Sequence, residues 1–414
     1  MIHEEFDIEL RTKIDGVFVI GQDRLNEAVI ATDEQLANDQ EYEWQDIKDG
    51  ILSISVKRGV DTYTGALPLP FRSAGVMTIR TTNRLFDPNY NKFMEPKAKI
   101  RLRRNNDVIF QGRVNNIYVD YRSDKDKPVI RLDVMDPTAD LQQASTKLSS
   151  ISAHNGQSWV NRINTLFTNS SVKNFPKTVV GGGTTKHGYW KDNKTLWEAI
   201  EYASNTEGAF VYFDKENTLK CYASSSIPTG VLRMNFDNTD NTKYGYKNIA
   251  IDYNVDSTIN EVAVQNTYGK YKSEWNEDAD AGLGAFETVE SVETDPLEPK
   301  TKDAMINRYG THALNIDTNF DLTDGQDQYL TWATSILEKW YKPVALVKEI
   351  EWDAKKDFNK AAATDILDRV NIKHETENFT YNEQLQIIGI HHDLQADGDS
   401  WRVKFILFPR SRFI

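Results

Sequence analysis

His391 and His392 are the residues of this sequence that most directly suggest chemistry, because imidazole side chains bind metal ions and transfer protons. They lie in a run in which apolar and polar residues alternate, which predicts a β-strand. Neighbouring side chains of a strand point to opposite faces, so these two imidazoles cannot easily hold one metal ion together. We interpret them as ordinary strand residues.

Two other stretches resemble ligand loops but depart from the patterns that such loops require. Residues 181–186, GGGTTK, place glycines ahead of a lysine, but no glycine directly precedes that lysine as in a phosphate-binding loop. The window from Asn276 to Glu287 offers oxygen ligands in the order of a calcium loop, but Ala281 stands where that loop needs glycine. We interpret the first as a surface loop and the second as part of a solvated acidic loop over 274–299.

Cys221 is the only cysteine, so the chain can form no intramolecular disulfide and no four-thiolate zinc site. It stands between Lys220 and Tyr222 in a predicted strand, which favours a small packed or surface thiol. The sequence also contains no His-Glu-x-x-His, Gly-x-Ser-x-Gly or dinucleotide-binding motif. We therefore predict no catalytic residue, no metal site and no cofactor.

The composition is that of a multidomain chain that does not grip nucleic acid. With 414 residues, of which 39% are hydrophobic, the chain is long enough for two or three domains of about 100–200 residues. Its formal charge of −13 argues against phosphate binding, because non-specific affinity for nucleic acid comes from Lys and Arg. The N-terminus lacks signal-peptide features, and no stretch approaches the roughly 18 apolar residues of a membrane span. We expect a soluble protein made in a reducing cytoplasm.

Residues 50–135 are dominated by an alternation with a period of two, which is typical of strands with one buried face. The residues predicted to face the core include Leu52, Ile54, Val56, Met77, Ile79, Ile100, Leu102, Ile130, Leu132 and Val134. Between 108 and 121 the alternation changes phase at Asn115 and Asn116, which predicts a β-bulge that helps a sheet to curl. We predict a small antiparallel barrel over 45–140, preceded by an N-terminal extension over 1–44.

Helical spacing replaces this alternation after about residue 138. Apolar residues from Trp159 to Leu166 lie on one face of a predicted helix, and Thr195-Leu-Trp-Glu198 has the form of a capping box at the start of a second helix. Gly208 can end that second helix, and residues 209–223 have the pattern of a hairpin. We predict a small α/β module over 141–235.

The β pattern returns towards the C-terminus, interrupted by an insertion. We assign 236–273 and 343–414 to a second antiparallel barrel, and 274–342 to the acidic loop and a helical segment. Within that segment, one-face spacing of aromatic and aliphatic residues predicts a helix over 324–341 that Pro343 ends. The residues predicted to form its buried face are Tyr329, Trp332, Ala333, Ile336, Leu337 and Trp340.

A weak internal repeat links the two β-rich regions. IFQGRVNNI places Gly112 five residues before Ile117, and QIIGIHHDL places Gly389 five residues before Leu394. Each segment is followed by a polar loop and a long strand that ends at a proline turn. The predicted fold is therefore mainly β with α/β insertions: two tandem antiparallel β-barrel domains, a small α/β module and a helical segment.

The segment from Gly75 to Pro137 resembles the first tube-type domain of the tail-hub, or minor tail, proteins of long-tailed bacteriophages, a family that includes baseplate hub-like proteins. In that family a strand ends in an Asn-x-x-Phe-Asp-Pro loop, which matches Asn83, Phe86, Asp87 and Pro88. The resemblance continues through TLWEAIEYASNTEGAFVYFDKENTLKCYA, NEVAVQN and INRYGTHALNI, and it spans about residues 45–409. One departure is Asn217, which stands where the family's hairpin turn often has glycine. We expect Asn83 to cap the strand end, Phe86 to fold back onto the barrel, and Asp87-Pro88 to form an extended turn.

The resemblance implies a structural virion protein at the phage tail tip, synthesised in the host bacterial cytoplasm. Three chains with two barrels each would form a homotrimer, a pseudo-sixfold ring that continues the tail tube and leads to threefold tip components. The implied partners are the distal tail or tail-tube protein, the tape-measure protein, and tail-tip fibre or spike proteins. DNA would pass through the ring without tight binding. Two alternatives remain at this point: a tail-tip carbohydrate- or receptor-binding module, suggested by 9 Trp, 18 Tyr and 18 Phe, and a tail-associated hydrolase, for which the sequence names no acid.

Overall fold

The computed structural model describes residues 5–13, 42–61, 71–72, 74–121, 127–146, 157–185, 194–252, 258–259, 261–266, 287–289, 310–318, 337, 339–340, 346–395 and 399–412. The described part of the chain is mainly β, as the sequence predicts, and its largest element is one 13-stranded sheet. None of the described helices is both long enough and apolar enough to span a membrane.

The N-terminal third supplies eight strands in the described residues. They are β1 (Asp7–Lys13), β2 (Tyr42–Asp46), β3 (Ile51–Gly59), β4 (Phe71–Arg72), β5 (Val76–Thr81), β6 (Lys99–Arg104), β7 (Asp107–Asp120) and β8 (Val129–Met135). A short 3-10 turn, Arg84–Phe86, follows β5. The predicted alternation is confirmed at most core positions, since Ile54, Val56, Met77 and Ile79 are fully buried while Leu52 is only half-buried.

The middle of the chain contains helices and short strands. The helices are α1 (Thr138–Gln143), α2 (Trp159–Thr168) and α3 (Leu196–Glu207). The strands are β9 (Ser145–Thr146), β10 (Gln157–Ser158), β11 (Lys177–Val180), β12 (Thr184–Thr185), β13 (Lys194–Thr195), β14 (Phe210–Phe213) and β15 (Leu219–Tyr222). Most of their buried apolar residues form a second hydrophobic cluster, whereas Phe210 and Tyr212 of β14 belong to the core of the large sheet.

The C-terminal part returns to long strands. They are β16 (Leu232–Asp237), β17 (Asn248–Asp252), β18 (Glu261–Asn266), β19 (Glu287–Val289), β20 (Ala313–Thr318), β21 (Leu346–Asp353), β22 (Arg369–Thr376), β23 (Phe379–Gln395) and β24 (Ser400–Pro409). A 3-10 turn, Ala354–Lys356, and helix α4 (Phe358–Ala363) connect β21 to β22.

The large sheet has the strand order β17-β21-β24-β23-β3-β5-β8-β7-β6-β1-β2, with β22 paired to β23 and β16 paired to β22. Strands from both predicted barrels therefore join one sheet through β3 and β23. Among the described strands this order does not close on itself, so the two closed barrels and the domain boundaries stay predictions. β18, which contains Val262 and Val264, pairs instead with β19 and β20 in a separate three-stranded sheet.

Local signals at the ends of elements are confirmed. The register of β7 against β8 shifts between Val114 and Asn116, where the sequence predicts a bulge. Thr195 and Glu198 form the capping box of α3, and Gly208 ends that helix in the left-handed conformation at φ 53°. Asn217 closes the β14–β15 hairpin with φ 63°, which explains how asparagine replaces glycine there. Most of the predicted helix 324–341, including Trp332, lies outside the described residues.

Candidate functional site: two matched β units and their junction

The large sheet contains the same succession of strands twice. In the first unit, the meander β6-β7-β8 is followed in the sheet by β5 and then β3. In the second unit, the meander β22-β23-β24 is followed by β21 and then β17. Both meanders begin with a two-residue turn, Asn105–Asn106 and Glu377–Asn378. A repeated succession of strands is thus present in the large sheet.

The matched strands also share irregularities. β7 is out of step with β8 between Val114 and Asn116, and β23 is out of step with β24 between Ile387 and Gly389. A bulge bends the strand that carries it, so each unit curls at a corresponding place in its long strand. The outermost strands differ, because β1 pairs antiparallel with β6 whereas β16 pairs parallel with β22.

The loop after β5 holds the four residues that carry the family resemblance. The Asn83 side chain accepts a hydrogen bond from Leu85 N at 2.9 Å and donates to Ile47 O at 3.3 Å. Phe86 is fully buried in the core of the large sheet, while Pro88 is exposed. Asp87 is extended, as expected before proline, and accepts hydrogen bonds from Asn89 N at 2.9 Å and Tyr121 Oη at 2.6 Å.

The second unit has a corresponding loop after β21 that sequence reasoning missed. Asp353 caps the turn by accepting from Lys355 N at 3.0 Å, as Asn83 caps the first loop. Four residues later, Asp357 accepts from Tyr244 Oη at 2.8 Å, as Asp87 accepts from Tyr121. The spacing Asn83…Asp87 and Asp353…Asp357 is the same, and it could have been found by aligning the two loops on their capping residues.

Gly112 and Gly389 do not occupy matched positions in these units. Gly112 lies before the bulge of β7, and a side chain there would collide with Met135 O at 2.3 Å. Gly389 lies directly after the bulge of β23, opposite Gly59, and a side chain there would collide with Val60 O at 2.0 Å. The structural repeat therefore rests on strand order, bulges and caps rather than on matched glycines.

The junction between the units is the antiparallel pair of β3 and β23, from Gly59 opposite Gly389 to Ser53 opposite Gln395. The Gly59 position is as crowded as that of Gly389, since an added Cβ would lie 2.2 Å from Ile388 O. Two glycines therefore allow the strands to approach closely where β23 exchanges β22 for β3 as its neighbour.

Arg58 ties this junction to the α/β elements. It is 3% exposed, and its guanidinium donates to Asp365 Oδ1 at 2.6 Å and to Phe213 O at 3.3 Å. These partners precede β22 and end β14, so one buried charge links three parts of the chain. Its position in β3, in phase with buried Ile54 and Val56, is the sequence signal that could have identified it.

The histidines point to opposite faces of β23, as predicted. His392 is buried and accepts a hydrogen bond from Trp401 Nε1 at 3.2 Å, and burial lowers its pKa to about 3. His391 Nε2 lies 3.2 Å from Asp61 Oδ1, and burial lowers its pKa to about 4 despite that carboxylate. Both imidazoles are therefore neutral near pH 7.

The other chemical candidates do not assemble into a reactive centre in the described residues. Cys221 is fully buried, and burial raises the pKa of its thiol, which keeps it protonated. Gly182 and Gly183 are exposed, as expected of a surface loop, Gly183 N donates to Glu207 Oε2 at 3.0 Å, and Lys186 lies outside the described residues. The acidic window lies outside them except for its last residue, Glu287. No cluster of three His, Cys, Asp or Glu side chains able to hold a metal ion occurs in the described part of the chain.

Solved structures of similar fold are phage tail proteins. A 43 kDa tail protein of prophage MuSo2 from Shewanella oneidensis superposes with a TM-score of 0.58 at 12% identity, covering 90% of this chain and 97% of that one. A tail protein from Neisseria meningitidis MC58 also gives 0.58, at 9% identity over 99% and 97% of the two chains. The chain has the fold of phage tail proteins.

A third structure with this tail-protein fold is the prophage tail protein gp18 from Listeria monocytogenes EGD-e, with a TM-score of 0.51 at 10% identity over 89% and 93% of the chains. No protein-family model and no curated protein matches the sequence. The likeness is therefore one of tail-protein fold, and it extends over nearly the whole length of the chains compared.

Proposed function

We propose that the chain is a structural virion protein, the trimeric hub of a phage tail tip. The observation that carries the proposal is the twofold occurrence of one strand succession in a single chain that has the tail-protein fold. Three such chains supply six similar units, the number needed to continue a sixfold tube and to present threefold symmetry beyond it. The two tandem tube-type barrels, with domain boundaries as predicted from the sequence, are part of this proposal.

In this role the protein acts by assembly rather than by catalysis. Its partners are further copies of itself, the distal tail or tail-tube protein, the tape-measure protein, and fibre or spike proteins of the tip. The ring is a conduit for DNA, and the net charge of −13 favours passage over retention because a net negative chain gains little from neutralising phosphate. The loop of Asn83, Phe86, Asp87 and Pro88, which follows β5 of the first unit, has a structural role.

Native mass spectrometry of the purified chain, with negative-stain class averages of the same sample, tests this function. We expect a homotrimer that appears as a threefold ring with an open centre. The same chain mixed with tail-tube and tail-tip components should join them end to end. A chain that stays monomeric and joins neither set of components is not a hub.

A second candidate function, a tail-tip carbohydrate- or receptor-binding module, is favoured by three exposed tyrosines. Tyr90, Tyr118 and Tyr121 are 65%, 66% and 61% exposed, and tyrosine is a common contact residue at binding surfaces. A binding module retains affinity for host cell wall as an isolated monomer. Pull-down of the monomer on purified cell wall, with Tyr118→Ala as the comparison, separates this function from that of a hub.

A further inference from the structure

The two matched units differ in how completely their long strands are bordered. In the second unit, β23 has β24 along one edge, and β22 followed by β3 along the other. In the first unit, β7 has β8 along one edge and β6 along the other, and the last hydrogen bonds on the β6 side join Val114 to Lys97 and Ala98. Beyond them, residues 115–120 of β7 have no strand on that edge among the described residues.

β17 has a free edge of the same kind. It is the matched counterpart of β3, but it ends the strand order, with β21 as its sole neighbour in the described part of the sheet. Within the described residues, one unit therefore lacks the strand that should border β7, and the other lacks the strand that should border β17. Exposed edges of this kind are templates for pairing with another chain.

Burial at corresponding positions supports this comparison. At the junction inside the chain, Ile54 of β3 and Ile390 of β23 are completely buried. Their counterparts Ile249 of β17 and Ile117 of β7 are only half-buried, although both pack against the same core. Val119 of β7 and Ile251 of β17 are also half-buried. The free edges thus carry apolar side chains that a bordering strand would cover.

We propose that β17 of one copy pairs antiparallel with the end of β7 in the next copy, repeating between chains the β3–β23 junction found within one. In its pairing with β5, Ile54 of β3 corresponds to Ile249 of β17 in its pairing with β21. In its pairing with β24, Ile390 of β23 corresponds to Ile117 of β7 in its pairing with β8. The register of β3 on β23, in which Val56 faces His392, then transfers directly. It places Ile251 of one copy opposite Val119 of the next.

Under the proposal, a second contact between the two units of one chain is also repeated between copies. The turn of the first meander reaches the loop of the second unit, where Arg104 Nε donates to Asn359 Oδ1 at 2.9 Å and its guanidinium lies 4.9 Å from the Phe358 ring. Counted from the matched aspartates, Phe358 and Asn359 correspond to Pro88 and Asn89, which are exposed.

The turn that would meet Pro88 and Asn89 is the one between β22 and β23 of another copy. Its residues Glu377 and Asn378 are exposed, and Glu375 beside them is also acidic and exposed. The first-unit loop offers exposed Lys92. Lys92 and Glu377 are thus an exposed pair of opposite charge, and both contacts join the second unit of one copy to the first unit of the next.

The resulting interface is head to tail, and such an interface closes into a ring or continues as a filament. The edge pairing itself follows from the described strands, whereas closure after three copies rests on the proposed hub function. The two statements can therefore fail separately.

Engineered cysteines test the pairing, because Cys221 is buried and the added thiols are the accessible ones. In the transferred register, residue 250 of one copy lies opposite residue 120 of the next. An equal mixture of the single variants Ala250→Cys and Asp120→Cys, treated with a short thiol cross-linker, should give covalent dimers. The double variant should give covalent closed trimers, and each single variant alone should give none. Ala250→Cys mixed with Lys173→Cys, an exposed position in the α/β module, is the matched control and should stay monomeric on a denaturing gel.

The possible results separate the β17–β7 pairing from closure of the ring after three copies. A native trimer without the 250–120 cross-link overturns the edge pairing and leaves the hub intact. Self-cross-linking of Ala250→Cys shows a symmetric β17–β17 contact and also overturns the pairing. Cross-linked chains that extend beyond three copies support the pairing and overturn the threefold hub. If no cross-link forms at any concentration, a second copy does not occupy the edges of β7 and β17, and the pairing is wrong.

Discussion

At the residue scale, the loop after β5 separates a side chain that stabilises the fold from one that does not. Phe86 is fully buried against the sheet core, whereas Pro88, two residues later, is exposed. We expect Phe86→Ala to lower the free energy of unfolding by about 3–5 kcal/mol, because it removes buried surface and leaves a cavity. Pro88→Ala, the matched control, should change it by less than about 1 kcal/mol. Urea unfolding measures both, and equal small effects would mean that Phe86 is not a core residue.

His392 makes stability depend on pH, and the sign follows from its burial. Desolvation in the core, beside Arg58 and His391, lowers its pKa from 6.5 to about 3. As the pH falls below 6.5, the unfolded chain binds a proton that the folded chain does not, so stability is lost progressively down to about pH 3. In His392→Gln, which keeps an acceptor for Trp401, this loss should disappear.

The measurement is the unfolding free energy of both proteins between pH 8 and pH 4. Below pH 6 the wild type should lose about 1.4 kcal/mol more per pH unit than His392→Gln. At pH 8 the imidazole is neutral in both states, so any difference there reports packing alone. Parallel curves over the whole range would show that His392 is solvated in the folded protein.

At the element scale, α3 begins with a capping box that sequence and structure both identify. Thr195 Oγ1 accepts from Glu198 N at 3.2 Å, and Glu198 Oε2 accepts from Thr195 N at 2.9 Å. Thr195→Ala should destabilise the protein by about 1 kcal/mol, because the Glu198 amide loses the hydroxyl that accepts its hydrogen bond. Thr195→Ser keeps the cap and should behave as the wild type. Hydrogen exchange of the α3 amides measures the effect, and identical exchange in both variants would contradict it.

The elements that the sequence predicts best are those specified by neighbouring residues. The capping box, the Gly208 helix end and the bulge near Asn115 each need only a few adjacent positions. Pairing between distant strands has no such local signal. The sequence does not show that β18 leaves the large sheet, or that β3 pairs with β23, because both depend on contacts over tens to hundreds of residues. The loop of the second unit, which Asp353 caps, was missed because the residues after its cap do not contain the sequence Phe-Asp-Pro.

At the scale of the whole molecule, Arg58 joins the two units and the α/β module. Arg58→Met should cost about 3 kcal/mol, because it leaves the largely buried Asp365 carboxylate unpaired. The pair Arg131–Asp133 offers a control, because the Arg131 side chain is 56% exposed and Arg131→Met should cost less than about 1 kcal/mol. In a double-mutant cycle, adding Asp365→Asn to Arg58→Met should cost much less than Asp365→Asn alone. Additive effects would show that the ion pair does not couple the units.

The charge of the whole molecule determines how it meets DNA. Some cations of the sheet surface are paired within the chain, as Lys57 is with Asp61 at 3.0 Å and Lys404 is with Glu349 at 3.2 Å. With a net charge of −13, few counterions are released when duplex DNA approaches, so binding gains little free energy. We expect a dissociation constant weaker than about 10⁻⁴ M for a short duplex near physiological salt, the weak limit of ordinary non-specific binding. Fluorescence anisotropy of a labelled duplex measures it, with a basic DNA-binding protein as the positive control. A constant below about 10⁻⁶ M would identify a DNA-gripping surface and contradict free passage through the ring.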